Sequence, residues 1–254
     1  MGKSKEILGI DVGGSGIKGA IVDISTGELI TDRLRVDTPQ PATPEAMTEA
    51  FKELLDEFKY KGDIIGVGFP AIVSRGVALS AANIDKAWIG TSIAKLWGKA
   101  SKKKVYALND ADAAGISSVS FGRAKKEDGV VIFLTIGTGI GSAMFIDGVL
   151  VPNTELGHFY MPNGIKSEHH ASSKTRKEKE LSWEEWAARF DEVLAQVERL
   201  FSPDLILLGG GASKKFDLYE HLLNTKAKVL PAEMMNQAGT IGAAIYAYQQ
   251  AKKK

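Results

Sequence analysis

Apolar residues in this chain come in short runs that stop at glycine. Ile7, Leu8 and Ile10 lead to Asp11, glycine fills positions 13, 14 and 16, and alternation resumes from Ile17-Lys18 through Ala20, Ile21 and Val22. This pattern predicts two strands joined by a glycine turn, because glycine accepts the positive φ of tight hairpins without steric cost. A further turn, Ser25-Thr26-Gly27, leads into Leu29-Ile30. The pattern then returns: residues 134–142 read LTIGTGIGS, a second strand covers 143–146, and Asp147-Gly148 turns into Val149-Leu150-Val151. A three-strand unit that occurs twice predicts two similar domains facing one ligand. Bare backbone in both turns leaves N–H groups for phosphate oxygens, although an ordinary hairpin satisfies the pattern equally well. Neither turn is a Walker A loop or a dinucleotide fingerprint, since no Gly-Lys-Ser/Thr follows and neither opens into a helix.

The rest of the chain alternates helical and strand patterns. Thr43-Pro44 reads as an N-cap with proline at the first helical position, ahead of Met47, Phe51, Leu54, Leu55 and Phe58 on one face. Residues 64–69 form a buried strand stopped by Pro70, followed by a hairpin about Arg75-Gly76 and an aperiodic loop over 81–86. A short helix over 92–100 precedes the strand 105–108, which ends in Asn109-Asp110 before a helix from about residue 111 to 119. The polar, lysine-rich stretch 164–180 reads as a solvated helix or mobile loop, with His169-His170 incidental to it. Ser182 and Glu185 form a capping box for a long helix whose stripe of Trp183, Trp186 and Phe190 belongs to the core. A buried strand over 204–208 runs into Gly209, Gly210 and Gly211, with the next helix expected to start at residues 213–215. Three bare residues before a helix start offer another anion or nucleotide contact. A short strand over 227–230 and a small-residue helix over 238–250 complete the chain.

Composition narrows the function classes. A chain of 254 residues can bury a substantial core as one large domain or two small ones, and its net charge of +1 argues against wholesale nucleic-acid binding. With no cysteine, disulfides, thiolate catalysis and cysteine zinc sites are excluded. No apolar run approaches the roughly 18 residues of a membrane span. The residues before Ile7 also lack the apolar core of a secretory signal, so a cytoplasmic location is expected.

Glycine hairpins, an acid at a strand's end and a polar Asn/Glu/His set together suit phosphoryl transfer to a hydroxyl, which needs positioning, charge neutralisation and a base. Asp110 stands where α/β folds place chemistry, beside a helix start, and would take the hydroxyl proton. Asn or Asp at that point is also a good helix cap. Asp11 has the wrong sign to touch phosphate and suits an outer-sphere role toward Mg²⁺, which keeps its waters. Glu155 and His158 fall on one side of a helical turn. Two ligands are thin for a metal, so a pair of hydrogen-bonding groups for a polyol fits better.

The segments LGIDVGGSGIKG, VGFPA, AANIDKAWIG, LNDADAAG, LTIGTGIGSA, GVLVPNTELGH, LSWEEWAAR and PDLILLGGGASKK, in this order and spacing, resemble the ROK family of sugar kinases over residues 8–244. Within it they are similar to its polyphosphate-using glucokinases of actinobacterial type. The resemblance implies an α/β fold of actin/hexokinase type: two RNase H-like domains with mixed sheets and an interdomain cleft, over 1–108 plus 240–254 and over 109–239. It implies Asp110 as general base, with Gly68, Asn83, Asn109, Asp110, Glu155 and His158 around glucose. Gly13, Gly14, Ser15, Gly16 and Lys18, after Asp11, and Gly137, Thr138, Gly139 and Gly141 correspond to the phosphate hairpins. Gly209, Gly210 and Gly211 correspond to the adenosine side of the nucleotide site.

It further implies inorganic polyphosphate as donor with some use of ATP. Mg²⁺ held at Asp11 through water is the cofactor expected from the transfer chemistry, charge and hydropathy predict no nucleic-acid or membrane partner, and a homodimer is expected as the commonest assembly. Many ROK proteins carry a cysteine-rich zinc motif after the ELGH histidine. Here residues 159–180 contain no cysteine, as in the polyphosphate branch, so no structural zinc is expected and packing must hold the His158 loop. An ATP-dependent glucokinase or glucomannokinase is the nearest alternative. A sugar-responsive regulator or an actin-like filament protein fits less well, because the first strand starts by Ile7 and Asn109-Asp110 with Glu155 and His158 suit a sugar acceptor. Lys18, Arg75, Lys86, Lys102–104, Lys125, Lys126, Lys214 and Lys215 are the cations available to a polyphosphate track.

Overall fold

The computed structural model describes residues 5–233 and 235–253. They form strands β1 (Glu6–Val12), β2 (Gly16–Asp23), β3 (Glu28–Leu29) and β4 (Leu34–Asp37), then helix α1 (Pro44–Phe58). β5 (Ile64–Phe69), β6 (Val73–Ser74), β7 (Val77–Ala78), α2 (Ile93–Ser101), β8 (Lys104–Asn109) and α3 (Asp110–Ser120) follow. Next come β9 (Val130–Ile136), β10 (Ile140–Ile146), β11 (Val149–Val151), α4 (Ser167–Ala171), α5 (Ser173–Glu178) and α6 (Trp183–Phe201). The chain finishes with β12 (Leu205–Gly209), α7 (Gly210–Ser213), β13 (Lys228–Pro231) and α8 (Ala238–Lys252).

These elements divide into two compact units, residues 1–117 with 237–254, and residues 118–236. The first turns of α3 belong to the first unit and lie against β5: a Cβ on Gly68 would meet Ala113 Cβ at 3.2 Å.

In the first unit the sheet order is β3-β2-β1-β5-β8, with β4 also on β2. β1 is antiparallel to β2, and β1, β5 and β8 are parallel. In the second unit the order is β11-β10-β9-β12-β13, with β9, β10 and β11 antiparallel and β9, β12 and β13 parallel. The repeated sequence unit therefore produces one sheet topology twice.

The first unit's core joins Phe51, Phe69, Trp88 and Trp97, with Phe51 and Trp97 stacked at 4.4 Å. Thr43 caps α1 as the sequence implies, accepting from the N–H of Ala46 at 3.2 Å. α8 packs on β1 and β5 so closely that a Cβ on Gly9 or Gly66 would strike the carbonyl oxygens of Thr240 and Ala243.

The second unit's core gathers Trp186, Phe190 and Tyr219 behind β9 and β12. The Ser182–Glu185 capping box opens α6.

One sequence expectation is overturned here. Within 164–180, α5 is a mostly exposed helix, but α4 is not solvated: Ser167 and Ala171 are fully buried, and His170 is buried with its Nε2 at 2.9 Å from Glu192. Its lysines face solvent while its small residues pack inward, so average polarity concealed the buried face. Among the described residues, no helix is long and apolar enough to cross a membrane.

Candidate active site

The first hairpin closes with the Gly13 N–H donating to the Gly16 carbonyl at 3.0 Å. Arg35 holds it from outside, donating from Nη2 to the Ser15 carbonyl at 2.7 Å and pairing with Asp37 at 2.9 Å. Thr38 Oγ1 donates to the Gly13 carbonyl at 2.6 Å. The expected role of positive φ is wrong for this turn: Gly13, Gly14 and Gly16 all lie outside the left-handed region. Room is short only at Gly16, where a Cβ would run into the Arg35 side chain; Gly13 and Gly14 have no such crowding.

Asp11 ends β1 opposite Lys18 of β2 and Gly68 of β5. Burial raises its carboxyl above the usual range, and Lys18 and Arg33 offset part of that rise. It also lies by the first turn of α8, where a Cβ on Gly239 would meet Asp11 Oδ1 at 2.8 Å. Among the described residues, no group of three or more His, Asp and Glu could hold a metal. A protein cage for a cation is therefore unsuited to this donor set. A lone carboxylate beside a glycine hairpin does suit Mg²⁺ that keeps its waters and takes its other ligands from elsewhere.

At the β8–α3 junction both neighbours bond the start of the helix. Asn109 is buried, and its Oδ1 accepts from the N–H groups of Ala111 (2.8 Å) and Asp112 (3.1 Å) while its Nδ2 donates to the Ala71 carbonyl at 3.1 Å. Asn109 is the cap. Asp110 is the first helical residue, half-buried, with Oδ1 accepting from the Ala111 N–H at 2.9 Å. Gly68 backs this junction, since a Cβ there would lie 3.6 Å from Asp110 Cα. Asn83 is exposed in an irregular segment. That segment is anchored by buried Ile84 and by Trp88 Nε1 donating to the Ala42 carbonyl at 3.0 Å.

The second hairpin turns at Gly137, Thr138 and Gly139, with the Gly137 N–H donating to the Gly139 carbonyl at 3.0 Å. Gly141, just beyond the turn, pairs with Thr135. Its root is held from two sides: Ser173 Oγ donates to the Ile136 carbonyl at 3.2 Å, and Gly210 bridges Ile136 in parallel. Gly210 has φ +78 and Gly209 lies against the Phe133 ring. The glycine run is thus the strand end and first turn of α7, which starts at Gly210 instead of at residues 213–215.

Glu155 and His158 flank a single 3₁₀ turn, as their spacing implies. His158 Nδ1 lies 3.9 Å from Glu155, and its Nε2 lies 3.4 Å from Glu168 Oε1. Burial raises the Glu155 carboxyl, the nearby Glu168 charge adds to the rise, and His158 opposes it. Glu168 is the residue that sequence reasoning missed. Its signal was a carboxylate next to His169-His170, hidden inside a stretch that reads as solvated. The Glu168 carboxylate also fills the place a Cβ on Gly139 would take, so it joins the Glu155–His158 pair to the second hairpin.

Packing holds this loop. Ser142 Oγ accepts from the Leu156 N–H at 2.9 Å, Ser167 Oγ donates to the Leu156 carbonyl at 2.7 Å, and Gly157 lies flat against the Ile140 carbonyl. Trp186 Nε1 secures α4 through the Ala171 carbonyl at 2.9 Å.

Comparison with known proteins agrees with this geometry. Residues 7–171 match the family model described as "ROK family". The chain is 44% identical to a polyphosphate glucokinase of Mycobacterium tuberculosis over 94% of this chain and 89% of that protein. The crystal structure of an inorganic polyphosphate/ATP-glucomannokinase from an Arthrobacter strain superposes with TM-score 0.91 at 43% identity, covering 96% of this chain and 99% of that one. A ROK glucokinase from Streptomyces griseus in complex with glucose and AMPPNP shares the fold, with TM-score 0.82 at 24% identity over 96% and 99% of the two chains. The two mixed sheets are those of the actin/hexokinase-like fold. The chain is a member of the ROK family of sugar kinases.

Proposed function

We propose that this protein transfers a phosphoryl group from inorganic polyphosphate, with ATP as a second donor, to the 6-hydroxyl of glucose. The observation that carries this reading is likeness above 40% identity, over nearly the whole chain, to two proteins whose names both specify polyphosphate. Asp110 accepts the O6 proton as the O6–P bond forms and the terminal P–O–P bond of the donor breaks, leaving the donor one phosphoryl unit shorter. Asn109 positions that carboxylate by fixing the start of α3. Glu155, His158 and Glu168 take the sugar hydroxyls, and Asn83 adds a contact from its exposed loop. Backbone N–H groups of both hairpins hold phosphate oxygens. Asp11 would hold Mg²⁺ through water, and the ion would supply neutralisation of phosphate charge.

The Arthrobacter neighbour's name includes mannose as an acceptor, so glucose and mannose belong in one test. Sugar phosphate formation is measured with each hexose against long-chain polyphosphate and against ATP. Turnover of glucose with both donors is expected. Turnover with ATP alone would make this an ATP-dependent glucokinase, and inertness toward every sugar would end the reading.

A further inference from the structure

Two basic segments meet at the root of the second hairpin. From one side come Ser173, bonded to the Ile136 carbonyl, and Lys174, whose backbone N–H donates to the Gly137 carbonyl at 3.2 Å. From the other side Gly210 bridges Ile136, and Lys214 closes the single turn that starts there. Lys174, Lys177, Lys214 and Lys215 are all exposed. Lys174 reaches Glu178 at 3.7 Å, a solvated pair with little energy to lose. Lys177, Lys214 and Lys215 form no ion pair with any described residue.

The first hairpin differs. Its guanidinium, Arg35, is committed to the Ser15 carbonyl and Asp37, and Lys18 faces Asp11 across the strand pair. Cations free to meet a further anion therefore flank the second hairpin. A nucleotide presents a short run of phosphates and a base. A polyphosphate chain continues as bare anion, so cations beyond the transferred unit matter to it and little to ATP.

We infer that Lys174, Lys214 and Lys215 hold phosphoryl units of the polyphosphate chain beyond the one transferred, and so set the preference for a long polyanionic donor. This rests on the phosphoryl-transfer reading above. The test compares the unmodified enzyme with the triple variant K174Q/K214Q/K215Q, using long-chain polyphosphate, tripolyphosphate and ATP at several salt concentrations. At roughly threefold for each lost phosphate contact, kcat/KM for the long chain should fall about 30-fold and its salt dependence should flatten. The values for ATP and the KM for glucose should stay within about threefold. The K95Q/K99Q variant removes exposed charge from α2, outside the cations considered for the polyphosphate track, and should leave every donor unchanged, which separates local contact from net charge.

Equal losses with ATP and polyphosphate, or no loss with either, would overturn the inference in a variant whose melting temperature is unchanged. If the unmodified enzyme uses ATP but not polyphosphate, the donor reading itself fails and takes this inference with it. That result is distinguishable because no variant is needed to obtain it.

Discussion

The two units build one strand order and end their first hairpins in glycine, yet they hold those hairpins by different means. In the first unit two side chains reach in, from β4 and the residue after it: Arg35 grips the Ser15 carbonyl, and Thr38 the Gly13 carbonyl. In the second unit whole segments do the holding, through Ser173 and Lys174 on one side and Gly210 on the other. The first arrangement spends its cations internally and the second leaves them facing solvent. Packing behind the sheets differs too. α8 approaches β1 and β5 through Gly9 and Gly66, whereas the second unit fills its layer with Trp186, Phe190 and Tyr219. Duplicated topology fixes where a hairpin and a strand end will be. The residues placed on that frame make the copies differ: the first has the strand-terminal Asn109-Asp110 pair, and the second has the Glu155, His158 and Glu168 cluster.

This asymmetry can be broken at its centre. Asp110→Asn preserves shape and the bond to Ala111 but removes the proton acceptor, so turnover should fall about 10²- to 10⁴-fold with the melting temperature unchanged. Near-normal turnover in a folded variant would move the chemistry elsewhere.

Glycines sharpen the contrast next. Gly157→Ala drives a Cβ onto the Ile140 carbonyl. That should cost about 1–3 kcal/mol of stability and lower the melting temperature by several degrees, at about 2–4 °C per kcal/mol. Gly14→Ala meets nothing within 4 Å, so its melting curve should match the parent's. Its kcat/KM for donor should still fall roughly tenfold, the equivalent of about 1.4 kcal/mol, if phosphate approaches that bare backbone. Parent-like donor kinetics in Gly14→Ala would remove the first hairpin from the donor site.

The smallest effect concerns Glu155, whose folded carboxyl lies above its ordinary value of 4.5 because of burial. The folded state then holds the proton more tightly than the unfolded chain. Stability therefore declines as pH rises from the unfolded value through the folded one, and the loss is complete above it. Glu155→Gln carries no such penalty. At neutral pH it should melt about 1–2 °C higher than the parent, a small fraction of a typical mutational shift, while its KM for glucose rises. The gap in melting temperature should close below pH 4.5. A lower melting temperature at neutral pH would mean that attraction to His158 outweighs burial.

Much of this was legible in residue order. Glycine turns between apolar runs located both hairpins, Thr43-Pro44 and the Ser182–Glu185 pair located helix starts, and the Glu155–His158 spacing placed both side chains on one turn. Each is a local signal, carried by residues within a few positions of one another. Glu168 was not legible, because its neighbour in sequence is a polar stretch and its partner His158 stands ten positions away. The same holds for Asn109, whose part in capping α3 shows only in its bonds to Ala111, Asp112 and Ala71.

The sequence by itself determined the repeated strand–turn–strand unit, the strand-terminal acid and the absence of any cysteine for a metal clamp. Tertiary structure alone decided which glycines serve close approach, which lysines stay uncommitted beside a hairpin, and that a lysine-rich stretch has a buried face. The division has a physical basis. Periodicity and turn chemistry act along the chain, whereas contact, burial and charge pairing depend on residues that meet only when sheets and helices pack.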